Sequence, residues 1–363
     1  MNTGRREFLR QIALSSVALL PAPVAAAIPP LVSTEWDQLT HVVVGRGEDS
    51  EIPTWSEAYT AYLSPAERVF FRRNEHKRLA EVDPDLEARL IGQLDGLART
   101  LSDLGVTVRR NRPLTNEEAD FAEGSQSGGG QMFVRDPLVV IGDTVLELSL
   151  KRQFRRKERF GLRPAIDGAY RQGEARWVAV PPASPSPDLS GDEDNPFLEG
   201  GDILLAGEDI LVGISDLASN EAGARWLQHF LGPAYRIHGV RLRPDVLHLD
   251  LALTLVRPGL AVVCPTFLPD GPPEVLRGWD TIPVGEVEGK AMGANLLVVD
   301  PETVLVDSRQ DGLAMALDER GIRVIPVPFD APAGFGGGIR CATLPLRRLP
   351  NLPLIAAQGS GAG

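Results

Sequence analysis

The stretch "DILLAGEDILVGI", residues 202–214, contains two short runs of apolar residues on either side of a Gly-Glu-Asp turn. Such runs are typical of β-strands, and the turn residues between them favour a hairpin. The same strand–turn–strand pattern recurs as "DPLVVIGDTVLEL" at 136–148, "DLALTLVRPGLAVVC" at 250–264 and "NLLVVDPETVLVD" at 295–307. The sequence therefore predicts a fold that is built from a repeated hairpin.

The hairpins begin at regular intervals along the chain. A polar or reactive residue heads each unit: Asp136, Asp202, Asp250, Asn295 and Cys341. Successive heads are 66, 48, 45 and 46 residues apart, and the fifth unit can pair "CATLPL" from 341 with "HVVVGR" from 41. Periods of this size predict pseudo-symmetric units around an axis, with the strand starts converging on one centre. Unrelated α/β hairpins with coincidental spacing are the alternative.

Helical patterns lie between the hairpins. Amphipathic segments occupy 83–105, 219–232 and 311–321. Ser219 is the expected N-cap of the second helix, and Gly232 is its expected end. The Pro- and Ser-rich stretch 181–196 is predicted to be a long surface loop. Alternation of hairpins and helices predicts an α/β fold.

The first residues, 1–28, have the composition of an export signal. Arg5 and Arg6 precede a modest apolar run and a group of small residues, a pattern that resembles a twin-arginine signal. An ordinary signal peptide or a basic amphipathic leader is the alternative. The prediction is a periplasmic or secreted protein that meets the twin-arginine export machinery, with one folded domain over 33–350 and a tail over 351–363.

Composition and charge narrow the class of protein. The chain has 363 residues, of which 43% are hydrophobic and 24% charged, and its net charge is −12. This balance predicts a globular protein and argues against a nucleic-acid partner. Two cysteines do not make a disulfide scaffold. Cys264 lies in an apolar strand and is predicted to be a buried hydrophobe, although a bridge between Cys264 and Cys341 stays open.

The strand starts bring together residue types that suit one kind of chemistry. They are Asp136, Glu199, Asp202, His248, Asp250 and Cys341. Carboxylates can hold a guanidinium by its edges through charge-assisted hydrogen bonds. A thiolate over the face of that cation can attack its carbon, while a histidine protonates the amine that leaves. The bound cation would also favour the ionised thiol.

Each of these residues has a simpler interpretation when it is taken alone. Asp136 can be a turn residue, His248 can be a core residue, and Cys341 can be an unreactive buried cysteine. His248 and Asp250 together can also indicate a metal site, but a third ligand at metal-like spacing is missing from the sequence. No metal is therefore predicted, and the guanidinium hypothesis depends on the residues occurring together at equivalent positions.

The motifs in their order resemble the amidinotransferase family of the guanidino-group-modifying superfamily. They are "EWDQLTHVVVGR", "RDPLVVIGD", "LEGGDILLAGEDILVGIS", "HLDLALTLVRPG" and "GGGIRCATLPLRR". The resemblance runs from about Glu35 to Arg348, and arginine deiminases and dimethylarginine hydrolases belong to the same superfamily. It implies a five-bladed, pseudo-symmetric α/β propeller of the pentein type with its site at the axis.

The resemblance also implies a role for each matched residue. Cys341 is the expected nucleophile and His248 the general acid and base. Glu199 stands where the amidinotransferases have an aspartate that orients this histidine. Asp136 and Asp250 are the expected guanidinium clamp.

Other matched positions are expected on the substrate side of the site. Asp202, Asn295 and Arg340 are predicted to bind substrate. Arg340 replaces a histidine that is common before the cysteine in amidinotransferases, and it resembles some deiminases. Phe267 stands where glycine amidinotransferase has an arginine that holds a substrate carboxylate, which favours a donor without that carboxylate or one held elsewhere.

The function that the resemblance implies is transfer of an amidino group from a guanidino donor to an amine through a covalent amidino-cysteine. The expected partners are these two small molecules, without a metal or organic cofactor, and a homodimer is compatible with the sequence. Hydrolysis at the same site, of the deiminase or amidinohydrolase kind, is the first alternative. A binding protein that keeps the pocket without turnover is the second.

Overall fold

A computed structural model describes residues 29–55, 57, 63–121, 129–183, 194–215 and 217–350 of the chain. The predicted export signal and tail lie outside these residues, as does most of the predicted loop at 181–196. In the described part of the chain, no helix is long and apolar enough to cross a membrane.

The described strands form five sheets of three strands, and every sheet has the same design. A central strand pairs antiparallel with one neighbour and parallel with the other. In the order antiparallel partner, centre, parallel partner, the first three sheets are β15 (Thr343–Leu349), β1 (Gln38–Val44) and β2 (Thr107–Arg110); β3 (Leu138–Ile141), β4 (Thr144–Glu147) and β5 (Arg176–Ala179); and β6 (Ile203–Ala206), β7 (Asp209–Ile214) and β8 (Arg236–Arg241). The other two are β9 (Leu253–Arg257), β10 (Leu260–Val263) and β11 (Asp280–Pro283), and β12 (Leu297–Asp300), β13 (Thr303–Asp307) and β14 (Arg323–Val327).

This repetition confirms the five-bladed α/β propeller. The four predicted hairpins form as β3–β4, β6–β7, β9–β10 and β12–β13. The two ends of the chain also meet as predicted, because β1 pairs antiparallel with β15 and places Val44 opposite Thr343. One blade therefore joins the two ends of the folded chain and closes the ring.

Helices connect the strands. Their bounds are α1 (Pro65–Arg73), α2 (Leu79–Val82), α3 (Pro84–Asp103), α4 (Asn116–Ala119), α5 (Glu158–Leu162), α6 (Pro164–Arg171), α7 (Glu221–Leu231), α8 (Glu286–Lys290), α9 (Asp311–Asp318) and α10 (Asp330–Ala333). The three predicted amphipathic helices form as α3, α7 and α9. In α3 the leucines 90, 94, 97 and 101 are fully buried at helical spacing, which explains why the sequence pattern was informative.

The expected cap of α7 is wrong by one residue. Asn220 is the N-cap, and its Oδ1 accepts the backbone N–H of Gly223 at 2.9 Å. Ser219 instead faces the centre of the molecule, where its Oγ accepts the backbone N–H of Glu199 at 2.9 Å. The helix ends at Gly232 as predicted, with φ at 73°.

Cys264 is fully buried in the hydrophobic core, as predicted, and both cysteines are free thiols. The bridge that the sequence left open is therefore absent, since Cys264 and Cys341 are unpaired in the described chain. Cys264 packs among the strands of the fourth blade, whereas Cys341 precedes β15 at the propeller axis.

Candidate active site

The residues that head the five hairpins converge on one buried centre, because each precedes the first strand of its blade. Asp136 precedes β3, Glu199 and Asp202 precede β6, His248 and Asp250 precede β9, Asn295 precedes β12, and Cys341 precedes β15. All seven side chains are at most 3% exposed. Because so many buried polar side chains rarely lie close together unless they have a function, this cluster is the candidate active site.

Cys341 is held by Asn295 and Asp250. The Asn295 Nδ2 donates to the Cys341 Sγ at 3.1 Å, and this Sγ lies 3.5 Å from Asp250 Oδ2. Burial, and then the charges of Asp250 and Asp136, raise the pKa of the Cys341 thiol well above its ordinary value. The thiol is therefore neutral in this environment and would ionise more readily beside an added cation.

Two glycines make room for this arrangement. A Cβ on Gly338 would lie 2.5 Å from Asn295 Oδ1, and a Cβ on Gly337 would lie 2.4 Å from the Phe133 ring. The glycine run before Cys341 therefore allows close approach of the backbone to the side chain that holds the thiol.

We expect the substitution Gly338→Ala to lower kcat on the order of 10²-fold, because the new methyl group would push Asn295 away from the thiol. Steady-state kinetics measure this effect. Gly312→Ala is the control, since its new Cβ would meet no described atom within 4 Å beyond its chain neighbours and its own helix backbone, and it should leave kcat unchanged. Equal rates for the two variants would contradict a role for the glycine.

His248 and Glu199 form a charged pair. The His248 Nε2 donates to Glu199 Oε2 at 2.9 Å, while Nδ1 lies 3.8 Å from Asp136 Oδ1. Burial opposes a charge on the ring, but Asp136, Asp202 and Glu199 raise the pKa of His248 to about 10. Burial likewise opposes the charge of Glu199, yet His248 and Arg155 lower the pKa of that carboxyl to about 2. The histidine is thus a cation that can supply a proton.

Asp250 presents a free acceptor. Its Oδ2 accepts Arg340 Nη1 at 2.9 Å, whereas its Oδ1 is buried without a hydrogen-bond partner among the described residues. A buried carboxylate oxygen without a donor is costly, so this atom is suited to a ligand that brings an N–H group.

Arg340 was predicted to bind substrate, but its guanidinium is occupied by protein groups. It donates to Glu35 Oε1 at 2.9 Å, to Asp250 Oδ2 at 2.9 Å and to the Ile203 carbonyl oxygen at 2.8 Å. With 1% of the residue exposed, these protein groups hold the guanidinium, and through one of them Arg340 positions Asp250. The predicted contact between Arg340 and substrate stays a prediction.

Asp202 also binds protein groups. Its Oδ1 accepts the backbone N–H of Leu249 at 2.9 Å, and its Oδ2 accepts that of Ser219 at 3.2 Å. Burial raises the pKa of Asp202 to about 7. The side chain therefore joins two segments beside His248, and its predicted contact with substrate stays a prediction.

Sequence reasoning missed Arg155 and Glu158, which lie beside Asp136 in the structure. Asp136 Oδ1 accepts the backbone N–H of Gly201 at 3.0 Å, and its Oδ2 accepts Arg155 Nη1 at 2.9 Å. Arg155 in turn donates to Glu158. Both missed residues lie in "KRQFRRKER", 151–159, a basic run that has the composition of a solvated surface. The i, i+3 spacing of an arginine and a glutamate was the only signal for their pairing.

Asp136, Glu199 and His248 are close enough to reach one metal ion, with potential ligand atoms within 4.8 Å of one another. This group contains His248 but not Asp250, so it differs from the His248–Asp250 pair that the sequence pattern raised. However, Arg155 Nη1 lies 2.9 Å from Asp136 Oδ2 and 3.7 Å from Glu199 Oε2. Arg155 and the protonated His248 thus already supply positive charge among these carboxylates, which disfavours a metal ion at this point.

Two cavities are lined by residues that neighbour the site in contact or in sequence, although none of the seven cluster residues is in their described linings. The smaller, about 50 Å³, is lined by Arg155 and Glu158 and has an aromatic wall that includes Phe133 and Phe335. The larger, about 410 Å³, is lined by Met292 and Gly336 and also by Lys290, Glu67, Arg309 and Asp330. Met292 has a φ of 65°, an uncommon conformation for a non-glycine residue, three positions before Asn295.

Phe267 lies in the core rather than in either cavity. It is 3% exposed, and the Arg243 guanidinium stacks on its ring at 4.9 Å. Its ring carbons lie 3.0 Å from where a Cβ on Gly289 would be. The side chain that the resemblance places at a carboxylate-binding position is therefore apolar and packed in the core.

A five-bladed propeller with a cysteine, a histidine and carboxylates at its axis defines the guanidino-group-modifying class. No family model matches the chain. It is 30% identical over 349 residues to inosamine-phosphate amidinotransferase 1 of Streptomyces glaucescens, covering 88% of this chain and 97% of that protein. It is 29% identical to the L-arginine:L-lysine amidinotransferase of Pseudomonas savastanoi pv. phaseolicola, covering 88% and 94%. The chain therefore belongs to the amidinotransferase family.

Solved structures agree with this assignment. The amidinotransferase SxtG of the saxitoxin pathway of Microseira wollei superposes with a TM-score of 0.76 at 26% identity, covering 88% of this chain and 98% of that one. A dimethylarginine dimethylaminohydrolase has the same fold at 19% identity and a TM-score of 0.58. This hydrolase thus shares the architecture of the chain.

Proposed function

We propose that this amidinotransferase moves an amidino group from a guanidino donor to an amine through a covalent bond to Cys341. The observation that carries the proposal is the free Oδ1 of Asp250, buried beside a thiol that Asn295 and Asp250 hold in place. A guanidinium supplies the N–H donors that this oxygen lacks.

The donor would bind with its guanidinium between Asp136 and Asp250. Its positive charge offsets the two carboxylates that, together with burial, keep the Cys341 thiol neutral. Binding thereby lowers the pKa of the thiol and generates the nucleophile only when a substrate is present.

The first half-reaction forms the bond from Cys341 Sγ to the guanidino carbon and breaks the bond from that carbon to the donor nitrogen. His248 protonates the leaving amine, and the proton of the thiol replaces the one that His248 gives up. The products are a free amine and a cationic amidino group on sulfur, so atoms and charge balance.

The second half-reaction reverses these steps with another amine. The acceptor nitrogen attacks the amidino carbon, the bond to sulfur breaks, and one acceptor proton returns to the thiol by way of His248. In a hydrolase, water would take the place of the acceptor, as in the alternative that the sequence left open.

Intact-protein mass spectrometry after mixing with a guanidino compound tests the proposal. We expect a mass gain on Cys341 that disappears when an amine is added, with a new guanidino product in solution. Citrulline- or urea-type products that form without an amine would show hydrolysis instead. Binding without any adduct or product would show the non-catalytic alternative.

L-arginine and agmatine form an informative pair of donors, because they differ only in the carboxylate. L-arginine is named as a substrate of one relative. In this chain Phe267 fills the place of a carboxylate-binding arginine, and Lys290 and Arg309 are the cations among the residues described in the larger cavity. Preference for agmatine would indicate a donor site that does not hold a carboxylate, and preference for L-arginine would direct the carboxylate to that cavity.

We also propose that the enzyme is exported, on the strength of Arg5 and Arg6 at the head of the apolar leader. Fractionation of cells that make the full chain tests this location. Recovery of the protein from the cytoplasm with its leader intact would overturn it.

A further inference from the structure

The guanidinium of Arg155 lies inside the catalytic cluster. The residue ends a short 3₁₀ turn, Gln153–Arg155, just before α5, and it is 6% exposed. Its Nη1 donates to Asp136 Oδ2 at 2.9 Å and lies 3.7 Å from Glu199 Oε2. One nitrogen thus bridges the carboxylate expected to bind substrate and the carboxylate that binds His248.

The other nitrogens of Arg155 are fixed by Glu158. Nε donates to Glu158 Oε1 at 3.1 Å, and Nη2 donates to Oε2 at 3.0 Å, which is a bidentate pair. Nη2 also lies 3.5 Å from the carbonyl oxygen of Phe133. Because Glu158 holds the planar guanidinium through Nε and Nη2, the remaining nitrogen, Nη1, is directed toward Asp136.

We propose that Arg155, held by Glu158, is a positioning residue that fixes the Asp136 carboxylate for the donor guanidinium and balances the charge of the His248–Glu199 pair. The inference rests on the proposed function, because Asp136 serves as a clamp only if the substrate carries a guanidinium.

The carboxylates around Arg155 and His248 explain why the site needs a cation of its own. The groups that face Arg155 and His248 are Asp136, Glu158, Glu199 and Asp202, and the Cys341 thiol lies beyond Asp136. Four buried carboxylates repel one another, and carboxylates that share a site cannot all ionise without cations. The clamp must nevertheless be anionic, since a protonated carboxyl could not balance a guanidinium.

The alternative role for Arg155 is that its guanidinium competes with the substrate guanidinium for Asp136, and the two roles can be distinguished. A competitor would have to leave Asp136 for catalysis, so its removal would raise kcat/KM. A positioning residue stays in place, and its removal leaves Asp136 without the partner that orients it. The two roles therefore predict opposite changes in rate.

The test compares Arg155→Ala, Arg155→Lys and Glu158→Gln with Arg163→Ala. Arg163 is the matched control because it also binds a buried glutamate through two nitrogens, at 3.1 and 2.7 Å from Glu147, but lies outside the site. Steady-state kinetics with a donor that reacts with the wild-type enzyme, pH profiles and thermal melting are measured for all four variants.

We expect Arg155→Ala to lower kcat/KM about 10²-fold, chiefly by raising KM for the guanidino donor. The acid limb of its pH profile should move to higher pH, because the pKa of Glu199 loses one of the cations that lower it. Arg155→Lys should restore part of the loss, and Glu158→Gln should give an intermediate value. Arg163→Ala should alter melting alone.

Three results would overturn the inference. They are a faster Arg155→Ala enzyme, a wild-type pH profile and KM in that variant, or equal losses in the control. If Arg155→Ala fails to fold, Glu158→Gln decides by the same criteria, since it keeps the shape of the side chain. Absence of any adduct in the wild-type enzyme would instead refute the proposed function.

Discussion

Replacement of Cys341 by alanine is expected to lower the rate at least about 10⁴-fold and to abolish the covalent adduct. The reason is that Sγ is the atom that would bond to the amidino carbon, and Asn295 and Asp250 cannot replace it. The thiol is 3.1 Å from the Asn295 amide and 3.5 Å from the Asp250 carboxylate, so the rest of the site should still bind the donor. Single-turnover kinetics and intact mass measure the two losses.

Cys264→Ala is the matched control for this prediction. Cys264 is also a fully buried free thiol, but it packs in the hydrophobic core of the fourth blade. We expect this variant to keep the adduct and the rate, with a small loss of thermal stability from the removed sulfur. An adduct that persists in Cys341→Ala and vanishes in Cys264→Ala would reverse the assignment of the nucleophile.

Replacement of His248 by glutamine should lower kcat about 10³-fold, because the leaving amine then departs without a proton donor. His248 can donate only while it is protonated. Burial opposes that charge, but Asp136, Asp202 and Glu199 raise the pKa of His248 to about 10. In the wild-type enzyme, kcat/KM should therefore hold through neutral pH and fall as pH rises through about 10, and the variant should lack this limb.

His238→Gln is the corresponding control. His238 also places Nε2 against a carboxylate, 2.8 Å from Asp209, but the pair lies on β7 and β8 with both side chains partly exposed. Its replacement should leave both the rate and the alkaline limb unchanged. A retained limb near pH 10 in His248→Gln would assign that titration to another group.

The positions of the site residues follow from the repeat, and the repeat is visible in the sequence. A hairpin is a local structure, since its two strands and its turn are adjacent in the chain. For this reason β3–β4, β6–β7, β9–β10 and β12–β13 form where the pattern predicts them. The pairing of β1 with β15 was predictable only by symmetry, because almost the whole chain separates the two strands.

The partners of the side chains did not follow from the repeat. Ser219 fits the sequence pattern of a helix cap, yet its Oγ accepts from Glu199. Arg340 was expected to meet substrate, but it binds Glu35, which lies 305 positions away in the chain. Arg155 lies in a run of basic residues typical of a surface, but it enters the site because two carboxylates there attract it.

By itself, the sequence determined the repeated hairpins, the five strand starts and the thiol, histidine and acids that they carry, because periodicity and turn chemistry act over a few neighbouring residues. Only the tertiary structure decided which partners these groups have within the protein. Asp250 keeps one open oxygen, while Arg340 and Asp202 are bound by protein groups. These pairings are contacts between blades. A buried charge needs an opposite charge beside it, and the folded chain decides which one is close enough.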